Sequence, residues 1–382
     1  MFSRRFILGA GGAAVASFAL PRMAFARADT PKRFVFIIQR GAADGLAIVA
    51  PTGDPAFHGV RGDFIPDLQT GAKLDGMFTL HPTLAETAKL CAAKQALFVH
   101  AVASPYRDRS HFDGQNVLET GGSAAYRVKD GWMNRLLGLL PADEGKALAL
   151  SSTVPMALRG AHDVSSYAAS ALPGASDDLL ARVGKLYESD RQLHGLWEAA
   201  MQTRMTAGDL AGSGQNGAAT GALAAKLLAG ANGARIAMIE TGGWDTHSGQ
   251  RGRLNVQLRG LDQMVAALKV GLGPDWANTL VIVATEFGRT VAPNGTGGTD
   301  HGTASAAMLI GGAVAGGKVV ADWPGLSQGA LYDGRDLKPT TDLDALIGGA
   351  LAQHYGLDPA RTMTTLFPEA RSTALGERLI VA

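Results

Sequence analysis

A chain of 382 residues, 46% hydrophobic and 18% charged, can bury a large core and is too apolar to be a disordered tail. Its 35 Lys and Arg against 34 Asp and Glu give a formal net charge of +1, so it lacks the basic footprint that holds nucleic acid, and none is expected as a partner. The one cysteine, Cys91, excludes an internal disulfide and sits in "ETAKLCAAKQALFVH", where apolar spacing suits a helix on a sheet and a buried structural thiol.

The chain opens on "MFSRRFILGAGGAAVASFALPRMAFARADT". A twin arginine, Arg4 and Arg5, precedes a weakly apolar Gly/Ala stretch, a Pro-Arg break and a small-x-small site at Ala24 to Ala26. The apolar run is shorter than the roughly 20 residues a membrane span requires, so no stable membrane anchor is expected. Ser3 to Leu8 resembles the twin-arginine translocation consensus. Residues 1–26 are therefore expected to be a cleaved signal peptide, the twin-arginine translocase a transient partner, and the periplasm the destination.

From Lys32 to the end, short apolar runs alternate with helical patterns. "RFVFIIQ", "QALFVHAV", "ALALSS", "ARIAMIET", "TLVIVATEF" and "AAMLIGGAV" read as strands buried on both faces. "HPTLAETAKLCAAK", "DGWMNRLLGLL" and "RLNVQLRGLDQMVAALKVGL" read as helices between them. This alternation predicts an α/β domain over 32–382, with a mostly parallel central sheet and helices on both faces. A long charged helical stretch followed by "AGSGQNGAATGALAAK" breaks the rhythm and predicts an inserted helical segment at about 175–225.

Open α/β sheets bind ligands at the carboxyl ends of their strands. Four polar clusters directly follow expected strands: "QRGAADGL", "ASPYRDRSHFDGQ", "TGGWDTHSGQ" and "TEFGRT". A fifth, "GGTDHGTAS", precedes a strand and can return to the same edge as a long loop. In "GWDTH", Asp245 and His247 are two residues apart, which in extended backbone brings both side chains to one face. Asp300 and His301 are adjacent, so one can bind a metal while the other orients it. A hydrogen-bonded loop residue is the competing reading of either histidine taken alone. Joined by Glu286 and Asp44, the set points to a divalent metal held by oxygen and imidazole, zinc or manganese above all. Ser110 and His111 stand beside Arg107 and Arg109, a setting for a nucleophilic hydroxyl next to cations, although a serine there also fits a helix N-cap.

The order "RGAADGL", "RSHFDGQ", "GGWDTH", "TEFGRT", "GTDHGTA" after a twin-arginine signal resembles the bacterial family known as DUF1501, over nearly the whole mature chain. That family is similar in architecture to the alkaline phosphatase and sulfatase superfamily, and the cofactor-independent phosphomutases give the nearest parallel within it. The resemblance implies an alkaline-phosphatase-like fold, with Asp245, His247 and His301 on one metal, Asp44 and Glu286 on a second, and Ser110 as nucleophile. Phe287 stands where that superfamily has a ligand histidine, Glu286 where it has aspartate, and "QRG" where an aspartate ends the first strand. One ion is therefore expected rather than two, with the phenyl ring filling or lining the lost site and Glu286 released to bond Arg289 or another cation.

Two functions follow. In the first, the protein is an exported metal-dependent hydrolase of a small anionic phosphate or sulfate ester: Ser110 or a metal-activated water attacks, His111 assists, and Arg40, Arg109 or Arg289 neutralises the developing charge. In the second, it is a degenerate relative that binds an anionic or carbohydrate ligand, or a partner protein, without turnover. A serine hydrolase ranks last, since the chain holds no Gly-x-Ser-x-Gly elbow.

Overall fold

The computed structural model describes residues 31–141, 147–168 and 216–381, together with 177–188, 190, 193–195, 197–198 and 200–201. The expected signal peptide and much of the expected insertion lie outside the described residues. In chain order the elements are β1 (Arg33–Gln39), α1 (Gly45–Ile48), β2 (Val49–Ala50), α2 (Phe57–Arg61), β3 (Ala72–Lys73), β4 (Thr79–Leu80), α3 (Ala85–Ala92), β5 (Ala96–Ala103), α4 (His111–Thr120) and α5 (Trp132–Leu137). Then come β6 (Ala147–Leu150), β7 (Val164–Ser166), α6 (Asp177–Tyr187), α7 (Gly217–Leu228), β8 (Ile236–Thr241), α8 (Gln250–Leu272), β9 (Thr279–Ala284) and β10 (Ser305–Ile310). The chain closes with β11 (Val319–Val320), β12 (Thr341–Asp342), α9 (Leu343–Tyr355) and α10 (Pro359–Leu366).

Nine strands make one sheet in the order β11-β5-β10-β9-β1-β8-β6-β7, with β12 also paired to β5. Every pairing is parallel except those of β10, which runs antiparallel to β5 and β9. The expected mostly parallel sheet is therefore present, with β1, β8 and β9 in its interior. A separate small antiparallel sheet joins β2, β4 and β3.

The continuous apolar sequence of β1 follows from burial on both faces. Phe34, Phe36 and Ile38 share one buried cluster with Trp132 and Leu136 of α5, Leu346 of α9 and Leu366 of α10, while Val35 and Ile37 share the other with Leu90 of α3, Leu228 of α7 and Leu254, Leu258 and Leu261 of α8. Each such side chain, fully buried, contributes about 1.5–3 kcal/mol relative to exposure. In α8 the buried residues Leu254, Leu258, Leu261, Val265, Leu268 and Leu272 recur every three or four positions, the stripe a helix needs to cover a sheet. Helix α7 lies directly on α8 because a Cβ at Gly221 would come 2.1 Å from the Met264 carbonyl oxygen. Residues 217–228, the end of the expected insertion, thus belong to this helical layer. Helix α3 has no capping side chain of its own, and Asp262 of α8 takes its Glu86 and Thr87 amides at 2.9 and 2.8 Å. Cys91 is buried in α3, and burial pushes its thiol up.

The carboxyl ends of β1, β5, β8 and β9 share one edge because these strands run the same way. Antiparallel β10 begins at that edge, so the connection 285–304 leaves it and returns to it. No described helix is long and apolar enough to cross a membrane.

Candidate metal centre

Each loop at this edge is shaped to present a side chain. After β1, Gly41 takes φ 118°, and a Cβ there would lie 2.6 Å from the Asp245 amide nitrogen, so only glycine lets the two loops touch. After β8, the buried indole of Trp244 donates to Thr241 Oγ1 at 3.0 Å and anchors the turn. Thr246 is buried against Gln250, with its hydroxyl 2.9 Å from Oε1, and its neighbours Asp245 and His247 therefore project together. His301 is brought back by a bridge to Arg289, and His111 is the first residue of α4.

Four side chains converge. His247 Nε2 and His301 Nε2 stand 3.0 Å apart and lie 3.1 and 3.3 Å from Asp245 Oδ1, while His111 Nε2 lies 3.5 Å from Asp245 Oδ2. Donor atoms of His111, Asp245 and His301 also lie within 4.8 Å of one another. Ligands on a tetrahedral zinc with bonds of about 2.0–2.1 Å stand roughly 3.3 Å apart, so these spacings fit one small cation.

The hydrogen-bond partners sharpen this fit. His247 Nδ1 lies 2.9 Å from Asp300 Oδ1, His301 Nδ1 3.0 Å from the Arg109 carbonyl oxygen, and His111 Nδ1 2.8 Å from Glu286 Oε1. A carboxylate or carbonyl oxygen only accepts, so each Nδ1 carries a hydrogen, and each Nε2, which faces the Asp245 carboxylate, must carry a second hydrogen or meet a cation. All three Nε2 atoms face Asp245, and the lone pairs of neutral His247 and His301 would repel each other and the carboxylate unless a cation or proton lies between. His111 Nε2 is buried without a hydrogen-bond partner. This is the carboxylate–histidine arrangement that orients metal ligands. Asp245, Asp300 and Glu286 set three carboxylates against the guanidinium of Arg289, whose Nη1 reaches Asp245 Oδ1 at 2.6 Å, and a divalent ion would balance the remainder.

The charges respond to one another. The hydrogen bond it donates to Glu286 holds His111 above the usual imidazole value despite burial, whereas burial, aided by the nearby His111, lowers His301. Burial works to raise both Asp245 and Glu286, but Arg289 overcomes it at Asp245, and His111 and Gln115 overcome it at Glu286, leaving both below the usual carboxylate range. Asp300 is lowered by its hydrogen bonds from Asn294 and His247.

Several expected site residues stand elsewhere. Asp44 is not part of the cluster: Arg61 grips its carboxylate at 2.5 and 3.1 Å, Gln250 donates to Oδ2 at 2.5 Å, and Oδ1 caps α1. Glu286 is not placed as a ligand either, because Oε1 accepts from Gly41 N, Gln115 Nε2 and His111 Nδ1, and Oε2 from the Thr285 hydroxyl. Arg289, the partner expected for it, goes to Asp245 instead. Asp300 sits behind His247 and accepts from Asn294 Nδ2 at 3.0 Å. The Arg40 guanidinium is engaged by Glu119 at 2.8 Å and by Glu240, and that of Arg109 by Asp336 and Asp333 at 2.7 and 3.1 Å. Ser110 is the N-cap residue of α4, yet its hydroxyl makes no capping bond. Phe287 is buried and lines the centre, stacked on His111 with ring centroids 5.0 Å apart and 5.3 Å from His301.

Sequence reading placed His111 beside the nucleophile rather than among the ligands and missed Gln115, Arg61 and Asp336. Gln115 was within reach, since it follows His111 by four residues and so shares its helix face. Asp336, 35 residues after His301 in a loop without a metal-ligand pattern, gave no signal.

Residues 31–367 match the family model described as "Protein of unknown function (DUF1501)". No curated protein matches the chain. Among solved structures, the chain is similar to the C-terminal periplasmic domain of EcEptC from Escherichia coli in complex with Zn, at 10% identity, covering 91% of this chain and 92% of that one, with a TM-score of 0.39. It is also similar to Ps i-CgsB in complex with k-i-k-neocarrahexaose, at 12% identity, 88% and 75% coverage and a TM-score of 0.36. BT1596, a 2-O GAG sulfatase, is similar at 10% identity, 90% and 76% coverage and a TM-score of 0.33.

Proposed function

Since the chain belongs to the DUF1501 family and carries the cluster just described, we propose that it is an exported metal-dependent hydrolase of a phosphate or sulfate ester. The observation that carries this reading is the set of three histidines whose Nδ1 atoms are each held by an acceptor while their Nε2 atoms face Asp245. His111, Asp245, His247 and His301 would hold one divalent ion, zinc or manganese; three imidazoles and a carboxylate suit either, and no thiolate is present. Bound there, the ion supplies Lewis acidity to an ester oxygen.

The chain's own residues do the rest. Asp300, the Arg109 carbonyl and Glu286 fix the three rings. Arg289 holds Asp245 ionised. The Ser110 hydroxyl, next to His111 and unused as a cap, is the group available for attack on the ester. Asp245 and His247 have side chains 42% and 45% exposed, so an ester reaches the centre from solvent. Export to the periplasm by the twin-arginine translocase rests on the Arg4-Arg5 signal.

A second reading is a relative that binds an anionic or carbohydrate ligand, or a partner protein, without turnover. It is favoured by the pairing of Arg40, Arg109 and Arg289 with carboxylates, which leaves none of these three cations uncompensated for an ester's charge. Metal analysis of exported protein, with a screen of phosphomonoesters, phosphodiesters and sulfate esters, separates the two. Hydrolysis that disappears with one chelatable ion supports the first. Hydrolysis untouched by chelation overturns it, and a bound ion without turnover on any ester favours the second.

A further inference from the structure

We propose that Asp336, which touches none of the converging donor atoms, is a positioning residue that sets the tautomer of His301. The proposal rests on the metal-centre reading above. Asp336 is fully buried, and its Oδ2 accepts from Arg109 Nε and Nη2 at 3.0 and 2.7 Å and from the Thr303 hydroxyl at 2.7 Å. It therefore ties the loop after β5 to the start of β10. Arg109 has φ 61°, in the left-handed region that is uncommon for a non-glycine residue. In that conformation its backbone carbonyl points at His301 Nδ1, 3.0 Å away.

The consequence is chemical. A carbonyl oxygen can only accept, so Nδ1 must carry a hydrogen, which leaves Nε2, facing Asp245 and His247, as the nitrogen that can give its lone pair to a metal. Without the Asp336 hook, Arg109 is free to leave the left-handed conformation, its carbonyl turns away, and His301 loses the contact that fixes its hydrogen on Nδ1. The neighbouring residue reinforces the hold on the same histidine, since the Arg335 guanidinium donates to the His301 carbonyl oxygen. The segment carrying both is seated on the connection from β9 by the Val291 amide, 3.0 Å from the Arg335 carbonyl oxygen.

The test uses the full mature chain with Asp336→Asn, Arg109→Gly and the double variant. Zinc affinity is measured by chelator competition, and the His301 tautomer in metal-free protein by nitrogen-15 chemical shifts. Each single variant is expected to bind zinc about 10- to 100-fold more weakly, the typical effect of losing a partner behind a ligand, and the double no more weakly than the worse single. His301 should lose its uniform Nδ1–H tautomer in all three. Asp344→Asn, a change at another buried carboxylate, controls for general loosening and should leave both readouts unchanged. Wild-type affinity and an unchanged tautomer in a folded Asp336→Asn protein would overturn the proposal. So would equal loss in Asp344→Asn, or full additivity in the double variant. If wild-type protein binds no divalent metal, the metal reading fails, and the tautomer measurement alone still decides the role of Asp336.

Discussion

His247 Nε2 and His301 Nε2 face each other at 3.0 Å although 54 residues separate them, and with Asp300 and the Arg109 carbonyl each taking an Nδ1 hydrogen, the two neutral rings turn lone pairs toward each other. Metal should relieve that repulsion, so a divalent ion at a hundredfold excess over its Kd should stabilise the protein by about 2.7 kcal/mol. His301→Ala should remove both this gain in melting temperature and any ester hydrolysis. A variant that still gains stability from zinc or manganese would show that the ion binds elsewhere.

Glu286→Gln tests the support behind His111. A glutamine side chain can present its amide N–H to His111 Nδ1, which moves the ring hydrogen to Nε2 and points it at the ion. Metal affinity should fall about 10- to 100-fold with the fold intact by circular dichroism. Affinity equal to wild type would mean that His111 is not a ligand.

Phe287→Ala removes a buried ring that packs on His111 and His301, and a cavity of that size costs about 3–5 kcal/mol in denaturant titration. The metal count should stay at one per chain, because an apolar ring supplies no donor. Two tightly held ions in the native protein would show that the phenyl ring does not mark a lost site.

Asp44→Ala should behave differently. It strands Arg61, whose side chain is 1% exposed, without its carboxylate, and breaking such a buried pair costs about 3–5 kcal/mol. Metal stoichiometry should not change. Loss of the ion at unchanged stability would return Asp44 to the ligand set.

Stability should fall in mild acid. Burial drives His100 down to about 4 and His354 down to about 3, so both stay neutral in the folded protein while the unfolded chain takes up their protons below about 6.5. These depressed groups contribute stability that is fully present above about pH 6.5. As the pH falls toward 4, each costs about 1.4 kcal/mol per pH unit. Urea titrations at pH 7, 6 and 5 read the slope directly, and His354→Gln, which keeps a donor for the Arg33 carbonyl, should reduce it. A flat profile would contradict neutral burial of the two rings.

Much of the architecture is local information. The unbroken, β-branched and aromatic run of β1 reads as a strand covered on both faces, and the three-and-four spacing of α8 as a helix lying on one. Because parallel strands end at one edge, the convergence of "QRGAADGL", "TGGWDTHSGQ" and "TEFGRT" also followed from sequence order, as did the pairing of Asp245 and His247 across the buried Thr246. What the sequence could not decide is which acid meets which cation. Asp44 and Glu286 have the composition of ligands, but Arg61, 17 residues from Asp44, and His111, 175 residues from Glu286, engage them first, and those distances are set by loop packing rather than by spacing. Only the tertiary structure made β10 antiparallel, bringing His301 back to the edge, and hooked Arg109 onto Asp336. A carboxylate's role depends on the donors that reach its oxygens, and those arrive from parts of the chain that only folding brings together.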